Sequence, residues 1–356
     1  MSPLFFSAEC FMIKEIDIQN FKCFGHLHVN NCRRVNVIVG DNGVGKTALL
    51  EGVFFALAST SEVVLRFRQF RGLDGQFRGS SRKIEEAIWR DYFHGMDMNK
   101  TISISLHGDG PEARSVSIER GAGQTLVPLD QSQPSGATSG IIFKWKDHLG
   151  KYHEAIPEIS SSGIKFPETG EDLADFFFLS SNQTFSSTEN ADRFSDMNED
   201  RRREFVAFFK KQYPVIQDLF VRSMVGAPAI YAQMEGIQES LPITAISGGI
   251  NRMITLLLMI ASRKQSVVLI DEIENGIFHT HLESFWRILL NFSNNYHSQI
   301  FVTTHSEECL EALAKAIDVE QNDVSLWRAS RQAGSAKFKQ FFGKQVPIGI
   351  NAGEVR

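Results

Sequence analysis

The residues best suited to chemistry are Gly40-Asp41-Asn42-Gly43-Val44-Gly45-Lys46-Thr47, which fill every fixed position of G-x-x-x-x-G-K-[ST]. Glycines at these places let successive backbone N–H groups turn inward around phosphate oxygens. A helix start behind them adds partial positive charge. In this pattern Lys46 reaches β- and γ-phosphates and the Thr47 hydroxyl ligates Mg²⁺, with Ala48 next along the backbone. A second group lies far downstream. Asp271-Glu272 follows the apolar run Val267-Val268-Leu269-Ile270. One carboxylate to hold a metal and another to orient and deprotonate water is the pairing that phosphoryl transfer to water requires. Ser247-Gly248-Gly249 opens a further apolar run. Serine caps a helix start and the glycines permit close backbone approach, a geometry that binds an anion such as a γ-phosphate. His305 ends the run Gln299-Ile300-Phe301-Val302-Thr303-Thr304 and is a candidate sensor of that phosphate.

These groups need a scaffold, and the flanking sequence supplies one. Residues 34–39 are β-branched and apolar, the pattern of a buried strand. Residues 48–57 read as an apolar helix, so the loop has strand before it and helix after it. Residues 266–270 and 299–304 read as buried parallel strands with their polar residues at the carboxyl ends, where α/β sheets bind ligands. Residues 250–262 form the helix behind the Ser-Gly-Gly.

Bulk properties narrow the class. The chain has 356 residues, 42% hydrophobic and 22% charged, with a formal net charge of −5. That balance gives no general pull toward nucleic acid or membrane. Cys10, Cys23, Cys32 and Cys309 form no C-x-x-C pair and read as free thiols of a cytoplasmic protein. The longest apolar run, near residues 253–261, is too short to span a bilayer. Residues 1–11 lack the basic start of a signal peptide and are expected to be a disordered extension, with Met12 a candidate start.

Elsewhere, residues 13–18 and 26–30 alternate as a hairpin around the turn 20–25, and residues 101–107, 115–120, 141–146 and 152–156 alternate as further strands. Residues 121–140 read as a loop. The basic stretch 66–90, with Phe67, Phe70 and Phe77 interleaved, is either a nucleic-acid or partner surface or a solvated loop. A helix at 83–93 closes it. Residues 175–180 form a short strand and 184–198 partly a loop. A helix at 199–213 carries the core stripe Phe205, Phe208, Phe209, and two short strands follow at 218–224 and 229–234.

The order and spacing of the groups carry the resemblance. Asp271 follows Thr47 by 271 − 47 = 224 residues, Ser247 precedes it by 271 − 247 = 24, and His305 follows Glu272 by 305 − 272 = 33. With Ile16-x-Ile18-x-Asn20-Phe21-Lys22-Cys23-Phe24, Asp271-Glu272-Ile273-Glu274-Asn275-Gly276 and Thr303-Thr304-His305-Ser306-x-Glu308, the chain resembles the RecF/SMC/OLD branch of ABC ATPases. More narrowly it resembles the AAA-15/AAA-21 group, and within that the ATPase subunits of PARIS-type bacterial antiphage systems. The resemblance implies an α/β P-loop NTPase, a single ABC-type head over 12–356. Its β-rich lobe with the phosphate loop would span about 12–165, and its helical/parallel-sheet lobe about 166–356. It implies ATP and Mg²⁺ as cofactors, Thr47 and Asp271 as metal ligands, and Glu272, His305 and Lys46 as catalytic groups. It further implies a head-to-head dimer in which Ser247-Gly248-Gly249 of one protomer faces the nucleotide on the other. Function then divides between a sensor or scaffold that controls a separate effector such as a nuclease, in phage defence, and a RecF-like repair ATPase that contacts DNA. A transporter nucleotide-binding subunit is a third reading. Two departures stand out: Ile250 replaces the usual glutamine after the glycines, and Phe278 stands where relatives often carry histidine. Gln69 is the candidate Q-loop residue and Arg252 a candidate extra charge.

Overall fold

A strand whose residues are all apolar or internally satisfied must be paired on both edges and covered on both faces. Every residue of Val35–Val39 is buried. The one polar member, Asn36, exchanges hydrogen bonds with the Arg33 backbone (2.7 Å each way) and donates to Ile300 O (3.2 Å). In this computed structural model the strand is internal to a six-stranded sheet, in the order Phe176–Leu179, Val267–Ile270, Gln299–Thr304, Val35–Val39, Val324–Gln332, Ser335–Phe342. The first five are parallel and the last is antiparallel. The structure describes residues 12–355 except 59–60, 71–80, 109–112, 122–136, 139, 147–149, 161–162, 168–175, 182–185, 225, 262–264, 319–322 and 333–334.

The chain divides into two compact units, one of residues 1–32 and 51–174, the other of residues 33–50 and 175–356. The first holds a six-stranded antiparallel sheet in the order Phe24–Val29, Glu15–Phe21, Ile102–His107, Ala113–Arg120, Ile141–Lys146, Tyr152–Ala155. Its strands alternate: Ile16, Ile18, Ile102, Ile104, Val116, Ile118, Phe143 and Trp145 are buried on one face. Phe21, Phe55, Phe67 and Tyr92 pack together beside them. Two buried charges find partners here. Glu51 pairs with Lys22, and Arg114 donates to Ala56 O (3.1 Å) and Ala58 O (3.0 Å), capping the last carbonyls of the helix Lys46–Leu57.

The second unit packs the helix Gly248–Ala261 into its core. Every residue from Met253 to Ala261 is buried, so this helix is apolar on all sides. Leu282–Tyr296 and Glu307–Ala316 are amphipathic, and the indole of Trp286 on the first donates to Cys309 O on the second (3.1 Å). Phe205 and Phe209 of Glu199–Gln212 are buried, with Phe208 packed beside them.

Two expectations need correction, and one element was not expected. The phosphate loop does not travel with the β-rich part. Its strand pairs with Gln299–Thr304 and Val324–Gln332, because a doubly buried strand needs two parallel neighbours, and residues 33–50 therefore belong to the second unit. Residues 187–196, read as partly loop, form a helix started by a capping box: Ser186 Oγ accepts from Glu189 N–H while the Glu189 carboxylate accepts from Ser186 N–H. The hairpin Val324–Gln332/Ser335–Phe342 had no counterpart in the sequence reading. The expected extension 1–11, most of the loop 121–140 and the centre of the basic stretch, including Arg71 and Arg78, lie outside the described residues.

Candidate nucleotide-binding site

Parallel pairing brings three strand ends to one edge of the second unit's sheet. Val39 pairs with Thr304, and Ile270 with Val302, so Gly40, Asp271 and His305 leave adjacent strands at the same edge. The loop between Val39 and the helix Lys46–Leu57 needs its glycines. Gly40, Gly43 and Gly45 have φ of 139°, 76° and 110°. A Cβ on Gly40 would stand 2.2 Å from Ala329 O of the neighbouring strand. Lys46 is largely buried, and its ammonium donates to Gly40 O (2.6 Å) and Asp41 O (2.9 Å). Burial lowers its pKa, and the carboxylates of Asp271 and Glu272 act against that shift. A cavity of about 370 Å³ opens beside the loop, lined by Gly40, Asp41, Asn42, His305, Glu307 and Leu310 among others.

Asp271 is the buried centre of the array. It accepts from Thr47 Oγ1 (3.0 and 3.1 Å to its two oxygens) and from Thr303 Oγ1 (2.6 Å). Burial raises its pKa, and the two threonine hydrogen bonds oppose the rise. The Thr303 hydroxyl has a second task, accepting from Glu272 N–H (2.8 Å). That bond holds Glu272 at φ 52°, a left-handed conformation uncommon for glutamate. Asn275 Nδ2 donates to Glu272 Oε2 (2.7 Å). The other carboxylate oxygen, Oε1, lies 3.7 Å from His305 Nδ1, which is also 3.4 Å from Glu274 Oε1. His305 N–H donates to Glu274 Oε1 (3.1 Å), fixing the residue's start without closing its ring from solvent. The hydroxyl of Thr47 and the carboxylate of Asp271 are hard oxygen donors side by side. They suit a Mg²⁺ ion that takes one or two protein ligands and completes its shell with water and phosphate.

Ser247 is extended (φ −162°, ψ 133°) and starts the helix Gly248–Ala261, with its Oγ 3.5 Å from Ile250 N. Gly248 is exposed, and a Cβ there would meet nothing within 4 Å. Gly249 is the opposite case: a Cβ would lie 2.4 Å from Gly276 O. One glycine thus offers bare backbone to the outside and the other lets the helix start touch the turn after Glu272.

Every residue expected from the sequence in the phosphate loop, the acidic pair and the histidine lies at this one edge. One contributor went unassigned in sequence: Thr303, whose hydroxyl joins Asp271 and Glu272. A threonine two residues before a strand-end histidine is a signal visible only once the strand order is known. Gln69 stands in the helix Val63–Phe70. Among the described residues no helix is long and apolar enough to cross a membrane.

Comparisons with known proteins bear on the family and the fold. Residues 12–326 match the family described as RecF/RecN/SMC N terminal domain. An "ATP/GTP phosphatase" of Helicobacter pylori is 21% identical over 86% of this chain and 88% of its own length. The "DNA replication and repair protein RecF" of Shewanella denitrificans is 24% identical over 88% of this chain and 99% of its own. Among solved structures, an SMC head bound to the C-winged helix domain of ScpA aligns with a TM-score of 0.55 at 15% identity, over 92% of this chain and 97% of that one. An Smc head with an extended coiled coil, bound to the C-terminal domain of ScpA derived from Pyrococcus furiosus, aligns with 0.53 at 12%, over 97% and 100%. These two likenesses speak to the fold, an SMC-head α/β fold of the P-loop class. Because the family match runs from the first strand past the acidic pair and the histidine into the hairpin beside the phosphate loop, the chain belongs to the RecF/RecN/SMC family and is an ATPase.

Proposed function

We propose that two copies of this chain close head to head on ATP, and that closing and opening pass a signal to a separate effector. The observation that carries the reading is the split character of the site. One chain supplies the phosphate loop, the Asp271 carboxylate and Glu272 at a single edge, while its exposed Gly248 presents helix-start backbone to open space. That backbone suits a phosphate that arrives on another molecule.

Within one head, Lys46 exchanges the carbonyls of Gly40 and Asp41 for β- and γ-phosphate oxygens. Thr47 and Asp271 would hold Mg²⁺, which would supply positive charge to offset that of the phosphates. Gly40, Asp41, Asn42, Gly43, Val44, Gly45 and Ala48 supply backbone N–H groups. Glu272 orients the attacking water. Asn275 occupies Oε2, so Oε1 is the oxygen that receives the water proton. His305, beside Oε1, holds the γ-phosphate from the same side.

The finer reading follows the runs 271–276 and 303–308: an ATPase subunit of the PARIS type, acting in antiphage defence on a partner such as a nuclease. A second reading, a DNA-repair ATPase, draws on the RecF relative whose near-entire length aligns. ATP turnover stimulated by DNA at physiological salt favours repair; co-purification with a nuclease encoded beside it favours defence.

The dimer is tested with Glu272→Gln. Removing a general base slows turnover by about 10²–10⁴-fold while binding is kept. With ATP and Mg²⁺ the variant elutes as a dimer on size exclusion, and without ATP as a monomer. A variant that binds ATP and stays monomeric at micromolar concentration refutes the reading.

A further inference from the structure

Arg252 is out of place by composition. It sits five residues into the helix Gly248–Ala261, which is otherwise almost wholly apolar, and it is only 6% exposed. A guanidinium in such a place is expensive unless its surroundings answer the charge. They do: Nη2 donates to Glu272 O (3.4 Å), and Glu272, Glu274 and Asp271 are the carboxylates whose charges act on it, against the lowering of its pKa by burial.

The same joint is closed by backbone. Gly249 approaches Gly276 O so closely that only a glycine fits, and the Arg252 Cδ lies 3.4 Å from where a Cβ on Gly276 would stand. Gly276 itself has φ 74°. The turn is stiff: Asn275 N–H donates to Glu272 O (3.1 Å) and Ile277 N–H to Glu274 O (2.9 Å). The helix start bearing Ser247-Gly248-Gly249 and the turn bearing Glu272 are therefore one mechanical piece, and Arg252 is the side chain that spans it. Glu272 O is a shared acceptor, taking both Asn275 N–H and the guanidinium.

From this we infer that Arg252 is a positioning residue that couples two nucleotides. The inference rests on the head-to-head reading. There, Ser247–Gly249 of a protomer meets the nucleotide on the partner, and Glu272 of the same protomer acts on its own. A phosphate that seats the helix start shifts the joint, and Arg252 carries the shift to the backbone of Glu272, whose left-handed conformation makes its carboxylate direction sensitive to such a shift. Occupancy of one site thereby licenses hydrolysis at the other. The alternative is that Arg252 only balances the acidic cluster, which predicts no link between sites.

Arg252→Lys separates the two. It keeps the charge that the acidic cluster answers, and loses the planar fork that reaches Glu272 O. ATP turnover is measured against ATP concentration, alongside affinity for a fluorescent ATP analogue and the melting temperature. Wild type is expected to be cooperative, with a Hill coefficient above one and bounded by two for two sites. Arg252→Lys is expected to keep melting temperature and nucleotide affinity, lose at least about tenfold in kcat as misaligned catalytic groups do, and fall to a Hill coefficient of one. Gly249→Ala, whose methyl would be driven into Gly276 O, disturbs the joint without touching charge and is expected to show the same loss of cooperativity. A non-cooperative wild type overturns the inference, and so does an Arg252→Lys variant that keeps both kcat and Hill coefficient. If Glu272→Gln dimerises on ATP and Arg252→Lys remains cooperative, this inference alone fails. If Glu272→Gln binds ATP and does not dimerise, the head-to-head reading fails with it.

Discussion

Thr303→Val tests the site geometry at its least conspicuous member. Thr303 is fully buried, and its hydroxyl donates to Asp271 Oδ1 (2.6 Å) while accepting from Glu272 N–H (2.8 Å). Valine has nearly the same volume, so the substitution opens no cavity and removes only the two hydrogen bonds. Leaving a buried N–H without an acceptor costs about 1–3 kcal/mol, and losing a bond to an ionised carboxylate about 1.5–3 kcal/mol. Glu272 is also held at φ 52°, a conformation that stores on the order of 1–3 kcal/mol in a non-glycine residue. Without its anchor the backbone relaxes and the carboxylate turns from its aim. If the loss of one charge-assisted bond appears in the transition state, kcat falls by roughly 10- to 150-fold, at 1.36 kcal/mol per decade. Steady-state ATPase assays give the number. Affinity for the nucleotide base and phosphates is expected to change little, because Lys46 and the phosphate loop do not touch Thr303 in the hydrogen-bond array. Thr303→Ser restores the hydroxyl and is expected to recover most of the rate. A folded Thr303→Val enzyme that turns over within twofold of wild type would show that the hydroxyl does not hold the acidic pair in its working arrangement.

Two further outcomes follow from single positions. Gly40→Ala puts a methyl 2.2 Å from Ala329 O at φ 139°; it is expected to lower the melting temperature and abolish ATP binding, and an isothermal titration indistinguishable from wild type would contradict the close approach. Asp271 gives a pH dependence with a definite sign. Burial raises its native pKa above the ordinary 3.8, so between that value and the raised one the folded chain keeps a proton that the unfolded chain has lost. Stability then falls as pH climbs through this window and remains lower above it. Asp271→Asn is therefore expected to melt higher than wild type at pH 7 without nucleotide, with the gap narrowing below the ordinary carboxylate value; parallel melting curves across pH would refute the shift.

What the sequence disclosed was local. The loop 40–47 is contiguous, so its glycines and its lysine declare themselves, and the alternating strands from residue 13 to 156 are legible because each has one buried face. Residues 187–196 were obscured by their polarity, although Ser186-x-x-Glu189 is the start signal that a capping box leaves. Which sheet owns Val35–Val39 was not legible at all. A strand buried on both faces carries no mark of its neighbours, and its partners come from residues 299–304 and 324–328, far along the chain. The same limit hid Thr303, whose importance exists only relative to strands on either side.

The strand Gln299–Thr304 bears no carboxylate, yet it governs the geometry of the acidic pair. It lies between the strand that delivers the phosphate loop and the strand that delivers Asp271, so it sets the separation of the two. Its pairings, Val302 with Ile270 on one side and Thr304 with Val39 on the other, place Thr303 level with the residue that follows Ile270. A slip of one residue would turn Thr303 to the opposite face of the sheet and present Val302 or Thr304 in its stead. The Thr47–Asp271 contact would then lose its second support, and Glu272 its reason to stay left-handed. Register, held by apolar burial on both faces of a strand remote in sequence from every motif except the histidine, is thus what turns a phosphate loop and two acids 224 residues apart into one site.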